Sequence, residues 1–192
     1  MLYRMVKRAF DIAAALAAAA LLAPLIAPVA LLIKLESPGP VLFRQKRVGR
    51  GKRHFHMLKF RTMRTDTPKD VPTHLLADPD QYITRVGRFL RRTSLDELPQ
   101  LANILLGDMS VVGPRPALWN QYDLVALRES HGANNIRPGL TGLAQVMGRD
   151  ELPVRVKARY DIIYYRRLSM KLDARIILRT FGNVFWARGL HH

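Results

Sequence analysis

Asp96 and Glu97 stand side by side in "RRTSLDELPQLANILLGDMSVVGPRP", behind a basic run and ahead of an arginine held between two prolines. Adjacent carboxylates can bind a hard cation through oxygen, and one of them can attack phosphorus. Arg115 lies between Pro114 and Pro116, which fix the backbone and cut the entropy cost of aiming its guanidinium. Lys59 and Arg61 alternate along a strand-like run, project from one face and are spaced to clamp a diphosphate. The same residues also fit a plain GPRP turn and a solvated basic strand face. No other chemistry is legible: Cys is absent, the six His residues lack zinc spacing, and neither a P-loop nor GxGxxG occurs.

The elements that must position these groups can be read around them. Ser94 and Glu97 have capping-box spacing, and "LPQLANILLG" predicts a helix ending at Gly107, with Pro99 an alternative first helical residue. Either start puts the carboxylate pair at or just before a helix N-terminus, where free N–H groups favour negative charge. "VLFRQKRVG" and "HFHMLKFRTM", joined by "RGKR" with Gly49 and Gly51 nearby, predict a small β-hairpin. Residues 37–65 hold nine Lys or Arg and no acid. Residues 65–81 read as a Pro- and Asp-rich loop. In "YITRVGRFLRRTS", Ile83, Val86, Phe89 and Leu90 repeat at helical spacing, with Arg85, Arg88 and Arg92 on another face. "MSVVGPRP" is a buried strand feeding a stiff turn, and "NNIRPGLTGLAQVMGR" a second Gly-rich loop carrying Arg137 and Arg149. The last amphipathic stretch has Leu172, Ile176, Ile177, Phe181, Val184 and Phe185 on one face and Arg175, Arg179 and Arg188 at its edges, which suits core packing or a membrane interface equally.

The chain has 192 residues, 31 Lys or Arg against 15 acids, and a formal net charge of +16. Such a charge implies an anionic partner, whether nucleic acid, a phosphorylated substrate or an anionic leaflet. Ile12 to Ile33 contains only Ala, Leu, Ile, Val and Pro. Those 22 residues match a bilayer core of roughly 30 Å at 1.5 Å per residue. Arg4, Lys7 and Arg8 precede the run, and Lys34, Arg44, Lys46 and Arg47 follow it, so both flanks favour the cytoplasm. Pro24, near the middle, removes a backbone hydrogen bond, and Pro28 repeats this one turn later. A helix broken at Pro24 can enter and return on one side; a kinked span is the alternative.

The motifs "KRAFDI", "KFRTM", "SLDELPQLANILLGDMSVVGPRP", "RPGLTGLAQV" and "YDIIYYRRLSMKLD", taken in that order, resemble the bacterial sugar transferases, specifically the small monotopic phosphoglycosyl transferases. The likeness runs from Lys7 to about Asp173. It implies an α+β, mainly helical fold: an N-terminal re-entrant membrane helix broken at Pro24 (residues 1–36), a small β-hairpin and interfacial amphipathic helices in a catalytic unit (residues 37–192). Where the family breaks its membrane helix at Ser-Pro, this chain has Ala23-Pro24, so a hydroxyl-to-backbone bond is missing.

The resemblance also implies roles. Asp96 is the nucleophile that attacks the β-phosphate of a UDP-sugar, releases UMP and holds the phosphosugar until undecaprenyl phosphate takes it. Glu97 assists through a Mg2+ site made with Asp96, or in proton transfer, and Lys59 joins the catalytic set. Arg115, Arg88, Arg61, Arg137 and Gln145 bind substrate phosphates, and Lys7 and Arg8 meet lipid phosphate. The partners implied are the UDP-sugar, undecaprenyl phosphate and membrane lipids, with no nucleic acid, at the cytoplasmic face of a bacterial inner membrane. A membrane-attached nucleic-acid binder would explain the charge but leave the DE pair idle, and a non-catalytic scaffold would leave it unexplained too.

Overall fold

The computed structural model describes residues 2–68, 78–148 and 152–185; Arg149, Arg188, His191 and His192 lie outside the described residues. The chain begins with α1 (Leu2–Glu36), the one helix among the described residues long and apolar enough to cross a membrane. Strands β1 (Leu42–Val48) and β2 (His54–Phe60) form the expected antiparallel hairpin, with Phe43 opposite Lys59 and Lys46 opposite His56. Helices α2 (Arg85–Thr93) and α3 (Gln100–Leu106) follow, then β3 (Ser110–Val112), α4 (Tyr122–Glu129), β4 (Gly139–Thr141), α5 (Leu143–Gly148), α6 (Val154–Arg166) and α7 (Met170–Phe185). The fold is mainly helical. Beside the hairpin, β3 and β4 pair in parallel to make a second two-stranded sheet.

The helix assignment of α1 runs unbroken through Pro24 and Pro28. Pro24 cannot donate to the Ala20 carbonyl, nor Pro28 to that of Pro24, so the ladder loses two bonds in one stretch without losing helical backbone. Only the two ends of α1 are built into the body. Near the N-terminus Ala15 packs with Phe55, Met57, Ile104 and Met109, and Asp11 accepts from Ser110 Oγ and Val111 N at 3.0 Å each. Near the C-terminus Val29 and Ile33 pack with Phe60 and Leu90. Between these contacts Leu16, Leu21, Leu25 and Ile26 are exposed. Apolar side chains left uncovered over several turns are unfavourable in water and suited to lipid.

Two residues expected to meet lipid or substrate phosphate have partners within the fold. Lys7 is partly buried and pairs with Asp173 of α7 at 2.9 Å, where Tyr3 and Tyr164 also donate (3.0 and 2.7 Å). A buried carboxylate on α7 needs this compensation, and Lys7 supplies the charge. Arg61 stands one residue past the end of β2 and so leaves the face that carries Lys59. Its guanidinium donates to the carbonyls of Ser37 (2.7 Å), Ile33 (3.3 Å) and Pro38, bracing the end of α1 and the residues that follow it. The next residue of interest, Glu36, accepts from the N–H groups of Arg85 (2.6 Å) and Val86 (2.9 Å) and so ties the end of α1 to the start of α2. Phe89, assigned by spacing to the apolar face of α2, is exposed; Gly87 and Leu90 form the buried face. Phe181 of α7 is likewise exposed, while Ile176 is buried.

Candidate active site

The carboxylate pair sits in a single 3-10 turn, Leu95–Glu97, between α2 and α3. Ser94 makes the corner in the left-handed region (φ 58°), at once closing α2 and opening the turn. Its side chain caps nothing, so the capping box suggested by Ser94 and Glu97 is not formed. Leu95 and Leu98 flank the acids and pack on the Val29, Ile33, Phe60 and Leu90 cluster, which anchors the turn against α1. Pro99 takes the N-cap position of α3 rather than the first helical one, and Gly107 ends the helix at φ 93°, as expected.

Asn103 fixes α3 against the hairpin. Its Oδ1 accepts from Leu58 N (3.0 Å) and its Nδ2 donates to His56 O (2.9 Å), so one side chain satisfies the exposed edge of β2 as a neighbouring strand would. This brings Lys59 to the acids. Its Nζ lies 2.7 Å from Glu97 Oε1 and 3.5 Å from Asp96 Oδ2. Arg115 arrives from the turn after β3, with Nη1 3.6 Å from the same Glu97 oxygen.

The GPRP turn is held through its backbone. The Arg115 carbonyl accepts from Arg128 Nη2 at 3.0 Å and that of Pro116 from Arg47 Nη1 at 2.9 Å. Behind it, the RPGLTG loop packs backbone against backbone: a Cβ on Gly139 would fall 2.1 Å from Gly113 N, and one on Gly142 2.1 Å from Gly113 O. Only glycine permits that approach. Replacing Arg115 by Lys keeps the charge but loses the planar fork; if the fork orients phosphate, turnover falls by about 10²-fold with the melting temperature unchanged. Steady-state kinetics and thermal melts of Arg115→Lys check this, and wild-type turnover would leave Arg115 a turn residue.

The two carboxylates sit in different electrostatic settings. Burial pushes Asp96 above the usual carboxylate range and its neighbour Glu97 adds to this, while Lys59, Arg91 and Arg115 oppose the shift. Burial also acts to raise Glu97, but the charges of Lys59 and Arg115 and the side-chain donors of Lys59 and Gln100 outweigh it, holding it down to about 2. Gln100 Nε2 is nonetheless buried without a full hydrogen bond. Glu97 is therefore a fixed anion already neutralised by two cations. Asp96 is buried, more loosely touched and more basic.

Of the residues expected here, the fold brings together Asp96, Glu97, Lys59 and Arg115. Arg61 is turned to α1, and Arg88 is exposed with Asp80 as its partner at 3.9 Å. Arg137 Nε donates to Gly107 O (2.7 Å) at the far end of α3, and Gln145 Nε2 to Leu140 O (3.0 Å), leaving Oε1 buried and unpartnered. Arg91 was not expected. It donates to Thr62 Oγ1 (2.9 Å) and acts on Asp96 as a nearby cation. Its spacing from Gly87 put it on the buried side of α2, a signal hidden because glycine reads as a turn.

Residues 2–187 match the model of the family described as bacterial sugar transferase. The chain belongs to this family. The transferase is 46% identical over 185 residues to the exopolysaccharide production protein PSS of Rhizobium leguminosarum bv. phaseoli, covering 91% of this chain and 92% of that protein. It is 49% identical to a UDP-glucose:undecaprenyl-phosphate glucose-1-phosphate transferase of Caulobacter vibrioides, over 91% of this chain and 67% of that protein. It is 39% identical to a UDP-N-acetylgalactosamine-undecaprenyl-phosphate N-acetylgalactosaminephosphotransferase of Aeromonas hydrophila, covering 98% of this chain but 45% of that protein. The chain thus spans less than half the length of the Aeromonas relative.

Proposed function

We propose that the transferase moves a sugar-1-phosphate from a UDP-sugar to undecaprenyl phosphate through a covalent phosphosugar on Asp96. The observation that carries this reading is the division between the two acids: Glu97 is committed to Lys59 at 2.7 Å, whereas Asp96 is buried, raised in basicity and 3.5 Å from the same ammonium. A nucleophile must keep its lone pair available, and a carboxylate in a short ion pair does not. The names of the Caulobacter and Aeromonas relatives support a UDP-sugar donor and undecaprenyl phosphate acceptor, with different sugars in the two.

In the first half-reaction an Asp96 oxygen attacks the β-phosphorus, the bond to the bridging oxygen breaks, and UMP leaves with that oxygen and its electrons. In the second, a phosphate oxygen of undecaprenyl phosphate attacks the same phosphorus and Asp96 leaves as a carboxylate, giving undecaprenyl-diphosphate-sugar. Lys59 and Arg115 sit where they can offset charge on the transferring phosphoryl oxygens, with Arg91 behind Asp96. Among the described residues no group of three or more acidic or His ligands surrounds the pair. Two carboxylates suit Mg2+, which binds through one or two acids and completes its shell with phosphates and water. Asp96 and Glu97 would hold it, and bound there it would supply neutralisation of diphosphate charge. A panel of UDP-sugars assayed for UMP release tests the reaction and identifies the sugar; no release with any of them would overturn it.

The same proposal gives α1 a re-entrant path on the cytoplasmic face of the inner membrane, with residues 1–36 and 37–192 acting as one unit. Support comes from its two ends. Tyr3, Lys7 and Arg8 bond to α7 and α3, and Ile33 and Glu36 to the hairpin end and α2, so one body holds both ends of a helix about 52 Å long if straight. A span would set those ends on opposite sides of the bilayer. Single cysteines placed at Leu2 and Ser37 should both resist a membrane-impermeant thiol reagent in intact cells and react after lysis. Labelling of one of them from outside would establish a span.

A further inference from the structure

Helices α4 and α6 pack against each other and leave a groove of about 400 Å3 along their seam. Its apolar part is made by Leu127 of α4 with Ile162 and Ile163 of α6, and Arg155, Arg159 and Arg166 line the same groove from exposed positions. Steps of three and four along α6, from Arg155 through Arg159 and Ile162 to Arg166, place these groups on one face over about three turns, or about 16 Å. Cations thus stand before and after the isoleucines. The fold leaves the charges unmet: among the described residues none of the three arginines forms an ion pair. Two acids of the same helices are committed elsewhere, Asp161 to Arg128, and Glu129 to Lys52 and Asn134. The buried Arg128 and Asp161 pair also locks α4 to α6, so an occupant meets a groove that is already formed.

The orientation of α6 says what does not fill this groove. Tyr164 lies nine residues past Arg155, about 180° round the helix, and donates to Asp173, which Tyr3 and Lys7 of α1 also meet. The groove therefore faces away from the side of α6 that is tied to α1, whereas a bilayer holding α1 would meet the tied side. A second copy of the chain lacks the matching charges. No described helix carries two acids three or four residues apart, which is the spacing that Arg155 and Arg159 call for. What fits is an apolar stripe flanked by carboxylates at helical repeat, supplied by another protein.

We propose that the groove between α4 and α6 docks an acidic amphipathic helix of a partner protein. Its apolar residues lie on Leu127, Ile162 and Ile163, two acids one turn apart meet Arg155 and Arg159, and a further acid meets Arg166. None of the residues lining the groove belongs to the carboxylate site, so the docking surface stands or falls independently of the chemistry at Asp96.

The test places the photo-cross-linker p-benzoylphenylalanine at Arg155, and separately at Ile163, in the full chain made by its native host. After irradiation of intact cells, the joined peptides are sequenced by mass spectrometry. Both positions should join to one segment of a different protein, in which acids recur three or four residues apart with apolar residues between them. A synthetic peptide of that segment should bind the purified full chain. Arg159→Glu with Arg166→Glu should raise its Kd about thirtyfold, whereas Arg167→Glu with Arg175→Glu, the same change in charge at exposed positions outside the groove, should raise it no more than about twofold. Melting curves confirm that both double variants fold, and UMP release from the same samples reads the transfer reaction separately. Cross-links to this chain itself would replace the partner by a second copy and overturn the assignment. Cross-links to lipid alone, to a segment without paired acids or to nothing would overturn it too, as would a Kd equally changed by the two double variants.

Discussion

An Asp96→Asn variant supplied with the cognate UDP-sugar and no lipid acceptor is expected to release no UMP and gain no mass, while the wild type releases one UMP per active site and gains a sugar phosphate on the peptide containing Asp96. Turnover with lipid should fall by at least about 10⁴-fold, because an amide oxygen lacks both the charge and the nucleophilicity of a carboxylate. Loss of fold will not account for it. Burial raises Asp96, and a carboxyl group whose folded pKa lies above its unfolded one loses stability as pH rises through the interval between them. At neutral pH the Asn variant should therefore melt at or above the wild-type temperature. The same sign gives the acidic limb of the wild-type pH profile: activity falls as pH drops through the raised pKa of Asp96, above the ordinary carboxylate range. Glu97→Gln should slow turnover yet still accumulate the adduct. An adduct on the Asn variant, or its absence in a wild type that turns over normally with lipid, would make Asp96 a ligand or base and the transfer direct.

The sequence carried the pieces of this site unevenly, for physical reasons. Local patterns were legible: strand alternation and glycine at a turn gave the hairpin, and a left-handed glycine gave the end of α3 at Gly107. The DE pair and the stiffened Arg115 were legible because their types and neighbours restrict what they can do. The contacts of Arg61 with the end of α1 were hidden because alternation in a strand predicts a face only while the strand lasts, and β2 stops at Phe60. The partner of Lys7 was invisible because Asp173 is 166 residues away, and no local pattern announces such a pair. Asn103 was invisible for the opposite reason: an asparagine in an apolar helix looks like a defect until the edge of β2 is seen beside it. The pairing of β3 with β4 was hidden by length, since three residues per strand give no periodicity.

The long-range pair with the largest consequence is Arg128 with Asp161, joining α4 to α6. Arg128 Nη2 and Nε lie 2.6 and 2.9 Å from Asp161 Oδ2, and both side chains are buried. The same Nη2 donates to the carbonyl of Arg115, so the ion pair supports the turn that aims the phosphate-binding arginine. Burial pushes Asp161 up and Arg128 pulls it back, so removing the arginine leaves an acid that is costly to ionise. Arg128→Met alone should cost about 3–5 kcal/mol, because it strands a buried carboxyl group, and lower the melting temperature by roughly 10 °C. Replacing both partners, Arg128→Met with Asp161→Leu, should restore most of that stability, since a buried ion pair is often exchanged for apolar packing at little net cost. Activity should not return with it. The Arg115 carbonyl would still lack its charged donor, and an arginine displaced by as little as 1 Å loses much of its effect on the transition state, about 10²-fold. Melting curves and UMP release on the single and double variants separate the two roles. Recovery of stability with turnover still depressed marks Arg128 as a positioning residue for Arg115, whereas full recovery of both would reduce the pair to a structural bridge between α4 and α6.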